Sequence, residues 1–262
     1  MQDIKHPIIF VGAGPGDPDL ITVAGLKAIQ EADLILTAGS LVNHEILAPR
    51  KEEATVIDSA PLNLYEICAT LISWYRLGYK VVRVHTGDPS IYGAVYEQFQ
   101  FLRAERVPFQ VIPGVTAAFA GAALLGLEYT LPEITQTLIL TRIQGRTPVP
   151  EGEDLASLAA HRASLALYLS AAEGEEVSRI LSANYGPEAP VALLYRATWP
   201  DGRIIWTTAK DLPTTLAQEK LDRHTLILTG PAVAALQKGE NTPKSRLYAK
   251  EFTHGFREGK SD

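Results

Sequence analysis

Val11-Gly12-Ala13-Gly14-Pro15-Gly16-Asp17-Pro18 is the stretch from which the fold can be read. It follows the apolar run Ile8-Ile9-Phe10-Val11 and precedes Thr22–Ala32, where Val23, Leu26 and Ile29 fall on one helical face. The same strand–turn–helix order recurs twice. Val81-Val82-Arg83-Val84 leads into Gly87-Asp88-Pro89-Ser90-Ile91-Tyr92-Gly93, and Phe109-Gln110-Val111-Ile112 leads into Pro113-Gly114-Val115-Thr116. Repeated units of this kind predict a mostly parallel sheet with turns at the carboxyl ends of its strands, where open α/β sheets bind ligands. Glycine lets backbone approach a ligand closely, and proline stiffens the turn. The expectation is a small-molecule pocket.

Working outward, the first half continues in the same grammar. Leu34-Ile35-Leu36 and Thr55–Ile57 read as strands, Leu64–Leu77 as a helix ending at Gly78, and Tyr92–Ala104 and Val115–Leu125 as helices. Around Gly126–Thr135 the character changes. Thr137–Thr141, Ser164–Leu169, Val191–Tyr195, Ile204–Thr207 and Thr225–Leu228 read as strands with a hairpin-like look, and Pro200-Asp201-Gly202 as a turn between two of them. Helices are expected near Glu175–Asn184 and Leu212–Leu221. The reading is therefore α/β with two domains: an N-terminal α/β domain over 1–125 and a mixed-sheet α+β domain over 126–240. A loosely ordered tail is expected over 241–262. The polar, Gly- and Pro-bearing segment 142–163 reads as a long functional loop.

Composition narrows the chemistry. The 262 residues are 46% hydrophobic and 21% charged, with a net charge of −6, which argues against a general nucleic-acid or anionic-membrane binder. The longest weakly polar run, Val115–Leu127, is too short to span a bilayer. No charged-then-apolar leader opens the sequence, so a cytoplasmic protein is expected. The single cysteine, Cys68, sits on an apolar helical face and reads as core. The histidines are scattered without ligand spacing, so no protein-bound metal is expected. Ser40 lacks the Gly-x-Ser-x-Gly elbow of a hydrolase.

A dinucleotide site at Gly12–Gly16 fails on detail. The third glycine comes one residue early, Pro15 and Pro18 remove amide donors, and the acidic residue that should follow the second strand precedes it as Asp33. No phosphate-loop lysine is present. Asp88, at a strand end beside glycines, suits a cationic or hydroxyl-rich ligand better than phosphate. A turn aspartate bonding its own backbone is the plainer alternative.

Taken in order, the three turns resemble the signatures of the tetrapyrrole (corrin/porphyrin) methylases, and the resemblance extends to about residue 236. It implies a two-domain fold with S-adenosylmethionine in a cleft between the domains, S-adenosylhomocysteine as product, and a homodimer. Carried over by motif, the donor-binding residues would be Pro15; Gly87, Asp88, Pro89 and Tyr92; Thr116 and Ala117; and, in the second domain, Leu169 and Ala197.

Thr37-Ala38-Gly39-Ser40-Leu41-Val42-Asn43 and Thr141–Glu151 are most similar to the precorrin-4 C-11 branch of that family, which implies a precorrin-4 or cobalt-precorrin-4 substrate. The uroporphyrinogen-III branch carries Tyr-Asp-Arg-Leu-Val where Ala38–Val42 stands here. Its acidic residue is replaced by Gly39, and no base is assigned. The macrocycle implied as substrate is fringed with carboxylates, for which arginine is the natural partner. Arg142 and Arg146 are the first candidates, then Arg50, Arg76 and Arg196.

Overall fold

A computed structural model describes residues 6–39, 42–145, 147–239 and 245–259. The chain divides into two compact units, Met1–Ala120 with Thr198–Asp201, and Gly121–Ala197 with Gly202–Asp262.

In the first unit, β1 (Ile8–Gly12), β2 (Leu34–Thr37), β3 (Thr55–Asp58), β4 (Val81–His85) and β5 (Phe109–Ile112) form one sheet in the order β3-β2-β4-β1-β5. Every pairing is parallel. The crossovers carry α1 (Val23–Glu31), α2 (Leu64–Arg76) and α3 (Tyr96–Ala104). Local sequence sets their starts. Thr22 accepts the Gly25 amide at 3.1 Å, and Asn63 and Glu66 form a reciprocal capping box. Cys68, Leu71, Ile72 and Tyr75 of α2 with Leu102 of α3 pack on Phe10, Leu34 and Leu36. Ala28 and Ile29 of α1 pack on Val11, Ile35, Val82 and Val84. Two helical layers thus bury both faces, which is why the strands read as unbroken apolar runs.

The second unit holds β6 (Leu138–Thr141), β7 (Ser164–Leu167), β8 (Pro190–Tyr195), β9 (Arg203–Thr208) and β10 (Thr225–Thr229), in the order β6-β7-β10-β8-β9. The sheet is mixed, as expected, but among the described residues only β8–β9 is a hairpin of consecutive strands. β6 and β7 run parallel. The reason lies inside the segment read as a loop. Asp154 accepts the Ser157 amide at 2.9 Å and starts a short helix, α5 (Leu155–Ala159), whose Leu155 and Ala159 enter the core. That helix is the crossover a parallel pair requires. The core continues through Val177 and Leu181 of α6 (Gly174–Tyr185) and Leu212 and Leu216 of α7 (Leu212–Gln218). The boundary between the units falls inside α4 (Ala117–Leu125). A last helix, α8 (Pro231–Lys238), was not read from the sequence, although Pro231 at its start and Gly239 in the left-handed conformation at its end mark it.

Within the tail, residues 245–259 make hydrogen bonds among themselves. His254 and Arg257 exchange backbone bonds of 2.9 Å, and the Arg257 guanidinium donates to the Leu247 and Ala249 carbonyls at 2.8 and 2.7 Å.

Candidate functional site

Because β4, β1 and β5 are neighbours and parallel, the turns that follow them meet at one end of the first sheet. Gly14 and Gly87 pair through their backbones, with N···O distances of 3.2 and 2.8 Å, and the Ala13 amide donates to the His85 carbonyl at 2.7 Å. A side chain on Gly12 would place its Cβ 2.6 Å from the Gly114 Cα and 2.7 Å from the Gly87 carbonyl oxygen. Gly87 itself has φ +58°. These glycines exist because three backbones converge there.

Asp88 locks the convergence. Its Oδ2 accepts the Gly114 amide at 2.9 Å, and its Oδ1 accepts the Ser90 amide at 2.8 Å and the Ser90 hydroxyl. Burial acts to raise this carboxyl, but the Ser90 hydroxyl and the Gly114 and Ser90 amides outweigh it and hold it below the ordinary carboxylate range. The turn-aspartate alternative is therefore realised, with a second bond that ties one motif to the next.

Pro15 is buried in the first turn. Its carbonyl accepts the Trp199 indole N–H at 3.0 Å, Asp17 N donates to the Thr198 hydroxyl at 2.9 Å, and Asn43 Nδ2 donates to the Gly16 carbonyl at 2.8 Å. Pro89 is buried, and Tyr92 is 46% exposed with φ +53°. A non-glycine residue held there stores strain of the kind found where a side chain or carbonyl is aimed at a ligand. Thr116 is buried, and its carbonyl accepts the Phe119 and Ala120 amides as α4 begins at Ala117.

In the second unit, β6, β7 and β8 end, and β10 begins, on the same sheet edge. That edge gathers Arg142, Leu169, Arg196 and Ala197. Leu169 has φ +52° and is 71% exposed, and Ala197 is buried. Between them lies His224, missed in the sequence, whose carbonyl accepts the Arg196 amide at 2.9 Å. Burial first, then the charges of Arg196 and Arg223, lower its pKa. Positive φ at Arg196 and His224 is invisible in sequence, since neither is glycine.

The arginines separate. Arg142 turns into its own loop, where Nη1 donates to the Ile143 and Thr147 carbonyls at 3.2 and 3.1 Å and Nη2 to the Pro148 carbonyl at 2.7 Å. Ile143 N in turn donates to the buried Ser170 hydroxyl at 2.9 Å. Arg146 lies outside the described residues, as do Ser40 and Leu41. Arg76 ends α2, just before β4 begins, and pairs with Glu105 at 2.5 Å. That is the end of the sheet opposite the turns. Arg50 donates to the Leu47 carbonyl, and its neighbour Lys51 pairs with Asp33 at 2.6 Å, just ahead of β2. Neither Arg50 nor Arg76 is brought to the turns, because both lie in segments that enter strands and so sit at the amino ends of the parallel sheet. Among the described residues, no cluster of three or more His, Cys, Asp or Glu could hold a metal ion.

An all-parallel sheet whose adjacent C-terminal turns form a glycine-lined cradle defines a small-molecule-binding α/β protein. Residues 7–213 match the Tetrapyrrole (Corrin/Porphyrin) Methylases, and the chain belongs to that family. It is 46% identical over 253 residues to a cobalt-precorrin-4 C(11)-methyltransferase of Priestia megaterium, covering 96% of this chain and 98% of that one. It is also 46% identical over 252 residues to a precorrin-4 C(11)-methyltransferase of Pseudomonas aeruginosa, covering 96% and 99%. Among solved structures, a cobalt precorrin-4 methyltransferase of cobalamin biosynthesis superposes with a TM-score of 0.84 at 45% identity, covering 87% of this chain and 95% of that one.

Proposed function

We propose that this protein transfers a methyl group from S-adenosylmethionine to C-11 of precorrin-4 or cobalt-precorrin-4 in corrin-ring synthesis. The observation that carries the reading is the cradle itself: Gly12 and Gly114 leave no room for a Cβ, Gly87 turns at φ +58°, and Asp88 fixes the turns around them. The turns so fixed stand at the carboxyl ends of parallel strands, where open α/β sheets bind small molecules, and the residues present fit a compact polar donor. The donor supplies a methyl group already activated on a positive sulfur. The chain's task is alignment and exclusion of water, worth about 7–11 kcal/mol of barrier when complete.

Gly87, Asp88, Pro89 and Tyr92 with Thr116 and Ala117 are assigned to the donor, with Pro15 shaping the first turn and Leu169 and Ala197 on the nucleoside side. Arg142 acts on substrate by shaping its loop, with Arg146 and Arg196 as further carboxylate partners. A cytoplasmic homodimer is part of the proposal. Cys68 is free and buried, and Val111, Tyr96 and Phe119 are exposed on the first unit. Sedimentation equilibrium tests the dimer. No helix among the described residues is long and apolar enough to cross a membrane.

The deciding experiment incubates the purified protein with the donor and precorrin-4, with and without cobalt. A product heavier by one methyl group, with release of S-adenosylhomocysteine, is expected. Absence of both rejects the reading.

A further inference from the structure

Methylation of a neutral ring carbon by a sulfonium leaves a charge to be discharged. The ring's π pair forms the new C–C bond, the C–S pair returns to sulfur, and the macrocycle carries one surplus positive charge. That charge leaves as a proton from a ring N–H, and some group must take it. Resting on the reading above, we infer that Asp58 is that group, the general base of the reaction.

Asp58 ends β3, on the same sheet edge as the three turns. It stands in register with Thr37 of β2, which is in register with Val84 of β4. With neighbouring strands about 4.8 Å apart, β3 lies about 10 Å from β4 and about 14 Å from β1, a macrocycle's width from the donor cradle. The backbone there is fixed. Ser59 donates to the Thr37 carbonyl through both its amide (3.0 Å) and its hydroxyl (2.7 Å), and Asp58 Oδ1 accepts the Ala60 amide at 2.9 Å. Oδ2 has no hydrogen-bond partner among the described residues, and Asp58 is exposed.

Gly39 leaves the Oδ1 side of the carboxylate clear. It is buried, has φ +74°, and a Cβ built on it would stand 3.7 Å from Asp58 Oδ1. A side chain at 39 would therefore project onto the carboxylate, and its absence uncovers it. Beneath lies Arg83, 4% exposed, whose Nη1 donates to the Leu36 carbonyl at 3.2 Å and Nε to Gln98 Oε1 at 3.4 Å. Burial lowers this guanidinium to about 10, and the charge of Asp58 works in the opposite sense. The carboxylate's charge favours the protonated form of the buried cation.

The substrate's chemistry excludes other uses for an open carboxylate here. Its rim carries acetate and propionate groups, which would repel Asp58, and only the ring N–H groups would attract it. Asp88 at the same sheet edge is unsuited, since both its oxygens are committed to the turns.

The test compares Asp58→Asn with the unaltered protein. Asparagine keeps an oxygen for the Ala60 amide, so the turn survives, while basicity is lost. The expected result is a fall in kcat of about 10²–10⁴-fold, with S-adenosylhomocysteine affinity and melting temperature unchanged. Asp58→Ser also keeps the turn bond, and added formate should restore part of its rate. A kcat for Asp58→Asn within threefold of the unaltered protein, or a parallel loss of S-adenosylhomocysteine affinity, overturns the inference while leaving the proposed function standing. An unaltered protein that transfers no methyl group overturns both.

Discussion

The Asp88 carboxylate holds the Gly114 amide at 2.9 Å, so the side chain of one motif fixes the backbone of another. This is a bond between chain segments 26 residues apart at the ends of β4 and β5. It explains why an aspartate, rather than any other turn former, follows Gly87. Asp88→Asn would keep an acceptor for Ser90 but turn a donor toward Gly114. Hydrogen bonds to a charged group are worth about 1.5–3 kcal/mol. The expected outcome is at least tenfold weaker S-adenosylhomocysteine binding by calorimetry, with the fold retained by circular dichroism. Unchanged affinity would remove Asp88 from the donor site.

The first turn is braced differently. The indole of Trp199 donates to Pro15 and occupies the space where a Gly16 side chain would begin. Gly16→Ala should destabilise by about 1–3 kcal/mol through overpacking. In Trp199→Ala the clash partner is gone, so Gly16→Ala added to it should cost far less. A double-mutant cycle by urea denaturation measures the coupling. Additive effects would show that the two residues do not meet in solution.

What the sequence disclosed and withheld follows from the physics of each position. Gly12 and Gly114 were legible because close backbone approach tolerates only glycine, and Gly87 because its left-handed φ favours glycine. The parallel first sheet was legible because burial on both faces writes unbroken apolar strands. Trp199 was not legible, since Thr198–Asp201 reads as an ordinary hairpin turn and its contacts belong to residues about 180 positions away. The α5 crossover was hidden by its brevity within a polar segment. Leu169 and Arg196 are candidates already in the sequence, but their positive φ shows only in the backbone, since neither is glycine. The placement of Arg50 and Arg76 away from the turns was not legible, because a charge in sequence carries no mark of which strand end it will occupy.

Arg142 is expected to act through loop shape rather than as a bare charge. Three carbonyls of residues 143, 147 and 148 converge on its fork, which lysine cannot reproduce. Both Arg142→Ala and Arg142→Lys should raise the KM for the macrocycle about tenfold, taking the lost bonds as about 1.4 kcal/mol. S-adenosylhomocysteine affinity should hold, and limited proteolysis within 143–153 should quicken. If Arg142→Lys behaves as the unaltered protein, the side chain serves as a simple cation.

Acid sensitivity should trace to His85. It closes β4 at 3% exposure, lies parallel to Phe10 with ring centroids 6.0 Å apart, and its Nε2 has no hydrogen-bond partner among the described residues. Burial, reinforced by the Arg83 charge, pushes it from 6.5 down to about 3. Between those values the unfolded chain binds a proton that the folded chain refuses, so stability is lost as pH falls below 6.5. At pH 5 the loss from this group is about 2 kcal/mol. His85→Phe removes the titration while keeping a ring against Phe10. Urea denaturation at pH 7.5 and 5.0 should therefore show a smaller drop for the variant. A residual slope is expected, because His224 is lowered in the same direction and remains. Equal drops in the two proteins would mean that His85 takes up its proton without unfolding the chain, and that the end of β4 is open enough to solvate it.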